Sequence, residues 1–306
     1  MGNQKLQPSF VQGSKSRVSS FGQAINDLQA VNASLAAEEA LMKFLSPARM
    51  MPNAQQREFL DAAELSTIMV TGIPIKTYTW SKNAESPWVM LSHGFMMNAA
   101  TMLNFVQPLL LAGYQVVTWD HCAHGESGGN WTDMRVWVQS VLTIAQTHTP
   151  LAGIVGFSVG GTTALMALAQ NPHFQCPVVT CINSPTQIDT VLRGFLQKHG
   201  CNPDLIPLMH QVAAEKTILL PEQIRAVLPR CHKFPSTRLV LIQDHNDPIA
   251  SIPEAEYFAS HARNARIEFT QGLKHHGGLS NPHVAHLVTT SMISDAFGSS
   301  TPALKL

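Results

Sequence analysis

The sequence predicts an α/β protein with a mostly parallel central sheet of about eight strands and helices on both of its faces. Short runs that are apolar at nearly every position, such as 88–92 (WVMLS) and 115–119 (QVVTW), alternate along the chain with amphipathic helical segments. Strands that are buried on both faces are typical of parallel sheets covered by helices. Hydrophobic residues make up 45% of the 306-residue chain, which is enough to bury a large core.

The strands and helices of this pattern can be placed along the chain. A hairpin is predicted over 68–80, where β-branched and aromatic residues alternate around Gly72 and Pro74. The other strands are predicted at 88–92, 115–119, 151–156, 176–182, 238–243 and 265–270. Helices are predicted at 33–45, 102–112, 131–147, 159–170, 254–262 and 284–297.

The chain is predicted to have two parts. Residues 1–60 form an N-terminal arm and helical lead-in, and residues 61–306 form the main α/β domain. Within that domain, residues 185–236 contain helical stretches and several prolines but no convincing strand. A long insertion in a compact domain is usually functional and often covers the site, so we expect a helical lid there. Apolar residues such as Phe195 and Met209 would give this lid an apolar underside.

The composition excludes several classes of function. Lys plus Arg and Asp plus Glu number 20 each, so neither nucleic acid nor an anionic membrane surface is an expected partner. No apolar stretch reaches the roughly 20 residues of a membrane span. The N-terminus lacks the apolar region of a secretory signal, and the five cysteines show no CxxC spacing, so we expect a cytoplasmic protein with reduced thiols. The function must therefore reside in a local site.

The sharpest local signal is the sequence Gly156-Phe157-Ser158-Val159-Gly160-Gly161, which lies between a predicted strand and a predicted helix. A serine at such a tight turn adopts a strained conformation that lifts its hydroxyl clear of the sheet, and the flanking glycines leave room for the turn. The Val159 N–H lies at the start of the helix, where free donors and the helix dipole stabilise a developing oxyanion. Ser158 is therefore the candidate nucleophile.

A serine nucleophile needs a base and a carboxylate that orients the base. Asp247 follows the predicted strand at 238–243, and the loop after a sheet strand is where α/β enzymes place working groups. Asp244 is closer to the strand end and is the rival candidate, although it is also suited to shaping the turn. We favour Asp247 as the orienting acid.

The candidate bases are the paired His275 and His276, which follow the last predicted strand. We favour His275, because it stands seven residues before Pro282, where the last helix opens. The order of serine, aspartate and histidine, each after a successive strand, matches a known arrangement of such triads.

Several segments together resemble the α/β-hydrolase fold superfamily. Residues 92–95 (SHGF) resemble its HG oxyanion loop, residues 120–129 (DHCAHGESGG) its D-x-x-x-H-G-x-S-x-G loop, and residues 156–161 its nucleophile elbow. The acid and histidine loops resemble the segments around Asp247 and His275, and the resemblance covers about 68–297. It implies that the Phe95 N–H is the second oxyanion donor and that the 120–129 loop shapes the surroundings of the site without taking part in catalysis.

The sequence thus predicts a serine hydrolase that cleaves a carboxylic ester or thioester through an acyl-enzyme. Met96, beside the oxyanion loop, and Phe157, beside the nucleophile, are the candidate substrate-binding residues, for a small-molecule or acyl-chain substrate. No cofactor is needed. A metal site is not expected, because His121-x-x-His124 and the similar pair at 283 and 286 lack the HExxH pattern.

Two other functions remain open at this point. An acyltransferase would use the same triad with an alcohol or amine in place of water. A non-catalytic protein that binds ligands on a hydrolase scaffold would keep the fold and lose the chemistry. The intact set of serine, acid, histidine and HG loop favours an enzyme, whereas the sequence does not indicate an oligomeric state.

Overall fold

The centre of this computed structural model, which describes residues 18–216, 218, 237–261 and 264–293, is a single eight-stranded sheet. Its strands are β1 Glu64–Val70, β2 Ile73–Trp80, β3 Trp88–Ser92, β4 Gln115–Trp119, β5 Leu151–Phe157, β6 Val178–Ile182, β7 Arg238–Asp244 and β8 Ala265–Thr270. They lie in the order β1-β2-β4-β3-β5-β6-β7-β8. Strand β2 is antiparallel to β1 and β4, and the other neighbours are parallel. The predicted mostly parallel α/β sheet is therefore confirmed.

Helices flank the sheet and occupy the intervals between the strands. The described α-helices are α1 Ser20–Val31, α2 Ala33–Leu45, α3 Ala54–Asp61, α4 Val106–Leu111, α5 Met134–Thr147, α6 Val159–Gln170, α7 Ile188–His199, α8 Ile206–Glu215, α9 Ile252–His261 and α10 Pro282–Met292. Short 3₁₀ helices lie at Ala99–Phe105, Pro203–Leu205 and Gly277–Ser280. Within the described ranges, no helix combines the length and the apolar character needed to cross a membrane.

The predicted helix at 102–112 is wrong in its geometry. The chain forms a 3₁₀ helix over Ala99–Phe105 and an α-helix only over Val106–Leu111. Pro108 has no N–H to donate to residue 104, and a proline is tolerated only in the first turn of an α-helix. The α-helix therefore begins just before Pro108. The sequence reasoning also missed α3, although its capping box between Asn53 and Gln56 is a signal that sequence alone provides.

The two faces of the sheet are both buried, as the uniformly apolar strands indicate. Successive residues of a strand, such as Met90 and Leu91 of β3, belong to different apolar clusters on opposite faces of the sheet. One face packs against α5 and α6 around Trp137, and the other packs against α4 and α10 around Val288. This burial fixes the strand ends, and hence the loops that carry the predicted site, relative to one another.

A third apolar cluster joins the N-terminal part of the chain to the insertion after β6. Helices α1 and α2 pack with α7 and α8, and we call these four helices the four-helix layer. Leu41 of α2, Leu192 of α7 and Met209 of α8 are completely buried in this cluster. The residues of the expected lid at 217 and 219–236 and those of the expected arm at 1–17 lie outside the described residues.

Truncation of one buried side chain in α2 tests whether the four-helix layer belongs to the cooperative core. Leu41→Ala is expected to lower the free energy of unfolding by about 2–5 kcal/mol, because it leaves a cavity in a closed cluster. The matched control is Leu35→Ala on the same helix, whose side chain is 41% exposed and whose loss should cost much less. Urea unfolding measures both, and equal effects would contradict the packing described here.

Candidate active site

Ser158 lies at the tight turn between β5 and α6, in a backbone conformation with φ of 51° and ψ of −125°. The turn requires glycine two residues before and two residues after Ser158. A Cβ on Gly156 would come within 2.3 Å of the Gly161 backbone, and a Cβ on Gly160 within 2.3 Å of the Ser92 carbonyl oxygen. The glycines of this motif thus allow α6 to start directly against the end of β3.

The side chains of Ser158, His275 and Asp247 form one continuous hydrogen-bonded series. The Nε2 atom of His275 lies 3.0 Å from the Ser158 Oγ, and its Nδ1 atom lies 2.8 Å from the Asp247 Oδ2. The other carboxylate oxygen of Asp247 accepts bonds from the N–H groups of Ile249 and Ala250. Because the carboxylate accepts the Nδ1 proton, Nε2 is left as the acceptor that faces the serine hydroxyl.

Asp244, the rival acid, makes no side-chain hydrogen bond to His275 among those of the described residues, and it organises the two loops. Its carboxylate accepts bonds from the Thr270 hydroxyl and from the N–H groups of Asn246, Leu273 and Lys274. Burial acting alone would raise the pKa of this carboxyl, but these donors outweigh it and hold the pKa below its usual value. The position of Asp244 supports a role in shaping the turn.

His276, the rival base, has no hydrogen bond to Ser158 among those of the described residues. Its ring packs 5.7 Å from the ring of Phe157 and 4.9 Å from the ring of His275, centroid to centroid. Burial, followed by the neighbouring His275, lowers the pKa of His276. Lys274, just before the pair, has a positive φ of 57°, a conformation that favours glycine.

Asn183 is a site residue that the sequence reasoning missed. It follows β6 and has a φ of 47°. Its side-chain amide donates to the carbonyl oxygens of Lys274 and His275, and its Oδ1 accepts the N–H of Asp244. Asn183 therefore ties the histidine loop to the acid loop. The available signal was a polar residue directly after a buried strand, the same signal that singled out Asp247.

The loop that carries Phe95 lies next to the start of α6. A Cβ on Gly94 would come within 2.9 Å of the Phe157 ring, so this loop passes directly over that ring. Phe95 itself is half-buried and stacks on Phe44 of the four-helix layer, with ring centroids 5.0 Å apart. The N–H of Val159 is among the first N–H groups of α6, which have no acceptor inside the helix.

The two candidate substrate-binding residues occupy different environments. Met96 has a φ of 57°, and its side chain is 40% exposed beside the oxyanion loop. Phe157 is only 1% exposed, and its ring lies 5.0 Å from the His275 ring, centroid to centroid. Met96 thus offers a surface to a ligand, whereas Phe157 packs behind the site and supports Gly94 and His275.

Three buried histidines lie in or beside the 92–95 loop, and each accepts an N–H bond that requires a neutral imidazole. His93 donates from Nδ1 to the Gly94 carbonyl and accepts the His121 N–H at Nε2. His121 accepts the Trp119 indole N–H at Nδ1, so its Nε2 donates to the Ser92 hydroxyl. Burial is the largest cause that lowers the pKa of His93 and His121 well below the ordinary value.

The third of these histidines is His124. Its Nδ1 donates to the Cys122 carbonyl, and its Nε2 accepts the N–H of Met96. Burial lowers its pKa to about 4. Both ring nitrogens of His121 and of His124 are thus engaged in hydrogen bonds. Over the ranges that the structure describes, no group of three or more His, Cys, Asp or Glu side chains is arranged to hold a metal ion.

Comparisons with known proteins identify the same fold. The family model for the alpha/beta hydrolase fold matches residues 87–200. An uncharacterized protein of Bacillus subtilis (strain 168), YqkD, is 32% identical over 102 residues, which span 31% of this chain and 33% of YqkD. A monoglyceride lipase homolog of Monkeypox virus is 23% identical over 227 residues, which span 61% of this chain and 81% of the viral protein.

Solved structures extend the likeness over most of the chain. The Pyrococcus furiosus esterase Pf2001 is 20% identical and has a TM-score of 0.58, with coverage of 80% of this chain and 95% of the esterase. The eight-stranded sheet, the family match and these relatives agree. The chain has the α/β-hydrolase fold, residues 87–200 match the model of that fold family, and the relatives support a hydrolase.

The buried neutral histidines make the fold sensitive to mild acid. Unfolded imidazoles have a pKa near 6.5, whereas His93, His121 and His124 have lowered pKa values in the fold, so the unfolded state binds more protons as the pH falls. Stability is therefore lost from about pH 6.5 downwards. Between pH 7 and pH 5 we expect a loss of about 1.5–2 kcal/mol for each of these histidines, measured by urea unfolding.

A variant with one fewer buried imidazole provides the control for this pH dependence. His121→Gln is expected to remove about a third of the loss between pH 7 and pH 5, whatever it does to stability at pH 7. An unfolding free energy that stays constant from pH 7 to pH 5 in the wild type would contradict the neutral state of the three histidines.

Proposed function

We propose that this protein is a serine hydrolase that cleaves a carboxylic ester or thioester through an acyl-enzyme. The observation that supports this proposal is the continuous hydrogen-bonded series from Ser158 through His275 to Asp247. The strained turn lifts the Ser158 hydroxyl out of the sheet, and the adjacent loop with Phe95 offers a place for a developing oxyanion.

Each member of the series has a defined part in the acylation step. His275 takes the Ser158 proton at Nε2 while Oγ attacks the acyl carbonyl carbon. Asp247 keeps the Nδ1 proton in place and stabilises the imidazolium that forms. The N–H groups of Phe95 and Val159 donate to the tetrahedral oxyanion.

The intermediate then collapses in two stages. His275 returns the proton to the leaving alcohol or thiol, and the acyl group stays on Ser158 Oγ as an ester. Water, deprotonated by the same His275, attacks this ester and releases the acid, and the serine recovers its proton. All bonds and protons are balanced by these residues and one water molecule.

An uncharged or acyl-chain substrate fits the surroundings of the site. Met96 is exposed beside the oxyanion loop, and Phe95 stacks on Phe44, which also packs edge to face against Phe195. We infer that the four-helix layer covers the acyl side of the site. The esterase and the lipase homolog among the relatives support an ester bond as the target.

Covalent labelling and ester hydrolysis test the nucleophile and the base. A fluorophosphonate probe is expected to add once to the wild type, read by intact mass, and not at all to Ser158→Ala. His275→Ala should lose about six orders of magnitude in kcat against p-nitrophenyl esters. His276→Ala is the matched control, because it removes the adjacent imidazole, and it should keep most of the activity.

Two results would overturn this proposal or part of it. A wild-type protein that takes no label and cleaves neither short-chain nor long-chain esters and thioesters would favour a ligand-binding scaffold. If His275→Ala is labelled normally and His276→Ala takes no label, His276 is the base. A series of p-nitrophenyl esters of increasing chain length also measures the size of the acyl pocket.

Two isosteric substitutions distinguish the roles of the two aspartates in the acid loop. Asp247→Asn is expected to lower kcat by about four orders of magnitude, because the amide no longer orients the imidazole or stabilises its positive charge. Asp244→Asn should keep more of kcat but lose more stability, since four donors lose a charged acceptor. Steady-state kinetics and thermal unfolding measure both, and a reversed order would exchange the two roles.

A further inference from the structure

Arg49 links the N-terminal segment to the loop that follows β4. It lies between α2 and α3, outside the part of the chain that the family model matches. Its Nη1 atom donates to the carbonyl oxygens of His124, Gly125 and Ser127 at 3.2, 2.9 and 2.6 Å. Its Nη2 atom donates to the carbonyl oxygen of Gly129. One guanidinium thus gathers four backbone carbonyls of the 120–129 loop.

The same loop reaches the proposed oxyanion hole through His124. The N–H of Met96 donates to the His124 Nε2 at 2.9 Å, and Met96 directly follows Phe95. Met96 has a positive φ of 57°, a conformation that an L-residue adopts only when its surroundings hold it. The bond from His124 therefore fixes the peptide that follows the proposed donor.

The loop is also held from its inner side, independently of Arg49. The Asp120 carboxylate accepts the N–H groups of Ala99 and Glu126. A Cβ on Gly125 would come within 2.3 Å of that carboxylate, so the loop is closely wrapped around it. Removal of Arg49 should therefore loosen the outer side of the loop and leave the fold intact.

We propose that Arg49 is a positioning residue for the oxyanion hole, acting through His124 and Met96 on the N–H of Phe95. This inference rests on the proposed function. It makes the segment between α2 and α3 a working part of the active site. An arginine suits this task because its planar fork carries several donors in a fixed geometry and keeps its charge at any physiological pH.

A positioning role predicts an effect on kcat and not on KM. The oxyanion forms only in the transition state, so an oxyanion donor that is displaced by a fraction of an ångström weakens transition-state binding and leaves substrate binding unchanged. A complete loss of one donor costs about 10²–10³ in kcat. We expect Arg49→Ala to lower kcat against p-nitrophenyl esters by about tenfold to a hundredfold, with KM changed less than twofold.

Arg57→Ala is the matched control. Arg57 lies on α3 of the same N-terminal segment and forms an ion pair with Glu126 of the same loop, at 2.8 Å. Its removal takes away one positive charge and one contact with the loop but no contact with the carbonyl oxygen of His124. We expect kcat within about twofold of the wild type, since an ion pair that is still about one-third accessible to solvent contributes little. Arg49→Lys should fall between Arg49→Ala and the wild type.

Hydrogen–deuterium exchange of the Met96 amide provides a readout that does not depend on the substrate. Arg49→Ala should speed this exchange relative to the wild type and to Arg57→Ala, because the amide is bonded to His124. Ethylguanidinium added to Arg49→Ala should restore part of kcat, and it should not affect Arg57→Ala. His124→Ala and the double variant Arg49→Ala/His124→Ala complete a double-mutant cycle. Because the two residues act in series, the Arg49→Ala change should lower kcat little further once His124 is absent.

The results separate this inference from the proposed function. The first case is a wild-type protein whose activity depends on Ser158, while Arg49→Ala and Arg57→Ala have equal kcat values and equal exchange rates of the Met96 amide. This result would overturn the role of Arg49 and leave the hydrolase proposal standing. A wild-type protein without Ser158-dependent activity would overturn the proposed function, and the exchange rate of Met96 would still decide whether Arg49 holds the loop. If His124→Ala does not fold, the comparison between Arg49→Ala and Arg57→Ala decides alone.

Discussion

The close backbone contact around Ser158 is the constraint on which the rest of the site depends. Three strand ends meet there. The Ser158 N–H donates to the Ile182 carbonyl at the end of β6. Position 160 lies so close to the Ser92 carbonyl at the end of β3 that only glycine fits there. The strained φ of Ser158 persists because the strands on either side are buried on both faces and cannot shift to relieve it. A single turn therefore sets the positions of the proposed nucleophile and of the loop with the proposed oxyanion donor together.

The acid and histidine loops are fixed to this turn by the side chains of Asn183 and Asp244, which bond to backbone groups. Asn183 lies one residue after Ile182, bonds to the carbonyl of His275 and accepts the N–H of Asp244. Asp244 in turn gathers N–H groups from both loops. Because these bonds use the backbone, they constrain where His275 lies without competing for its ring nitrogens. The imidazole remains available to Ser158 on one side and Asp247 on the other.

Sequence reasoning found what is encoded locally. The bounds of α2 and α6, most of the strands and the turn at Ser158 follow from patterns within about a dozen residues, and the structure agrees with them. The 3₁₀ geometry before Pro108 and the start of β1 at Glu64 were not predicted. Asn183 carries only the general signal of a polar residue directly after a buried strand, and the role of Arg49 could not be found from local patterns at all. Arg49 is 75 residues from His124 along the chain, and a contact from a side chain to distant backbone carbonyls leaves no periodicity in either segment.

The different chemistry of the histidines in this region follows from what each ring nitrogen faces. His93, His121 and His124 each use one nitrogen as an acceptor of a buried N–H and the other as a donor to a carbonyl or hydroxyl oxygen. A second proton on any of them would abolish the accepted bond and place an unpaired charge in the core, so these three rings act as fixed hydrogen-bond connectors. Among these four rings, only that of His275 faces a carboxylate, at 2.8 Å, and its other nitrogen faces a hydroxyl that can give up its proton. The same side chain is therefore a structural connector at three positions and is suited to act as a base at the fourth.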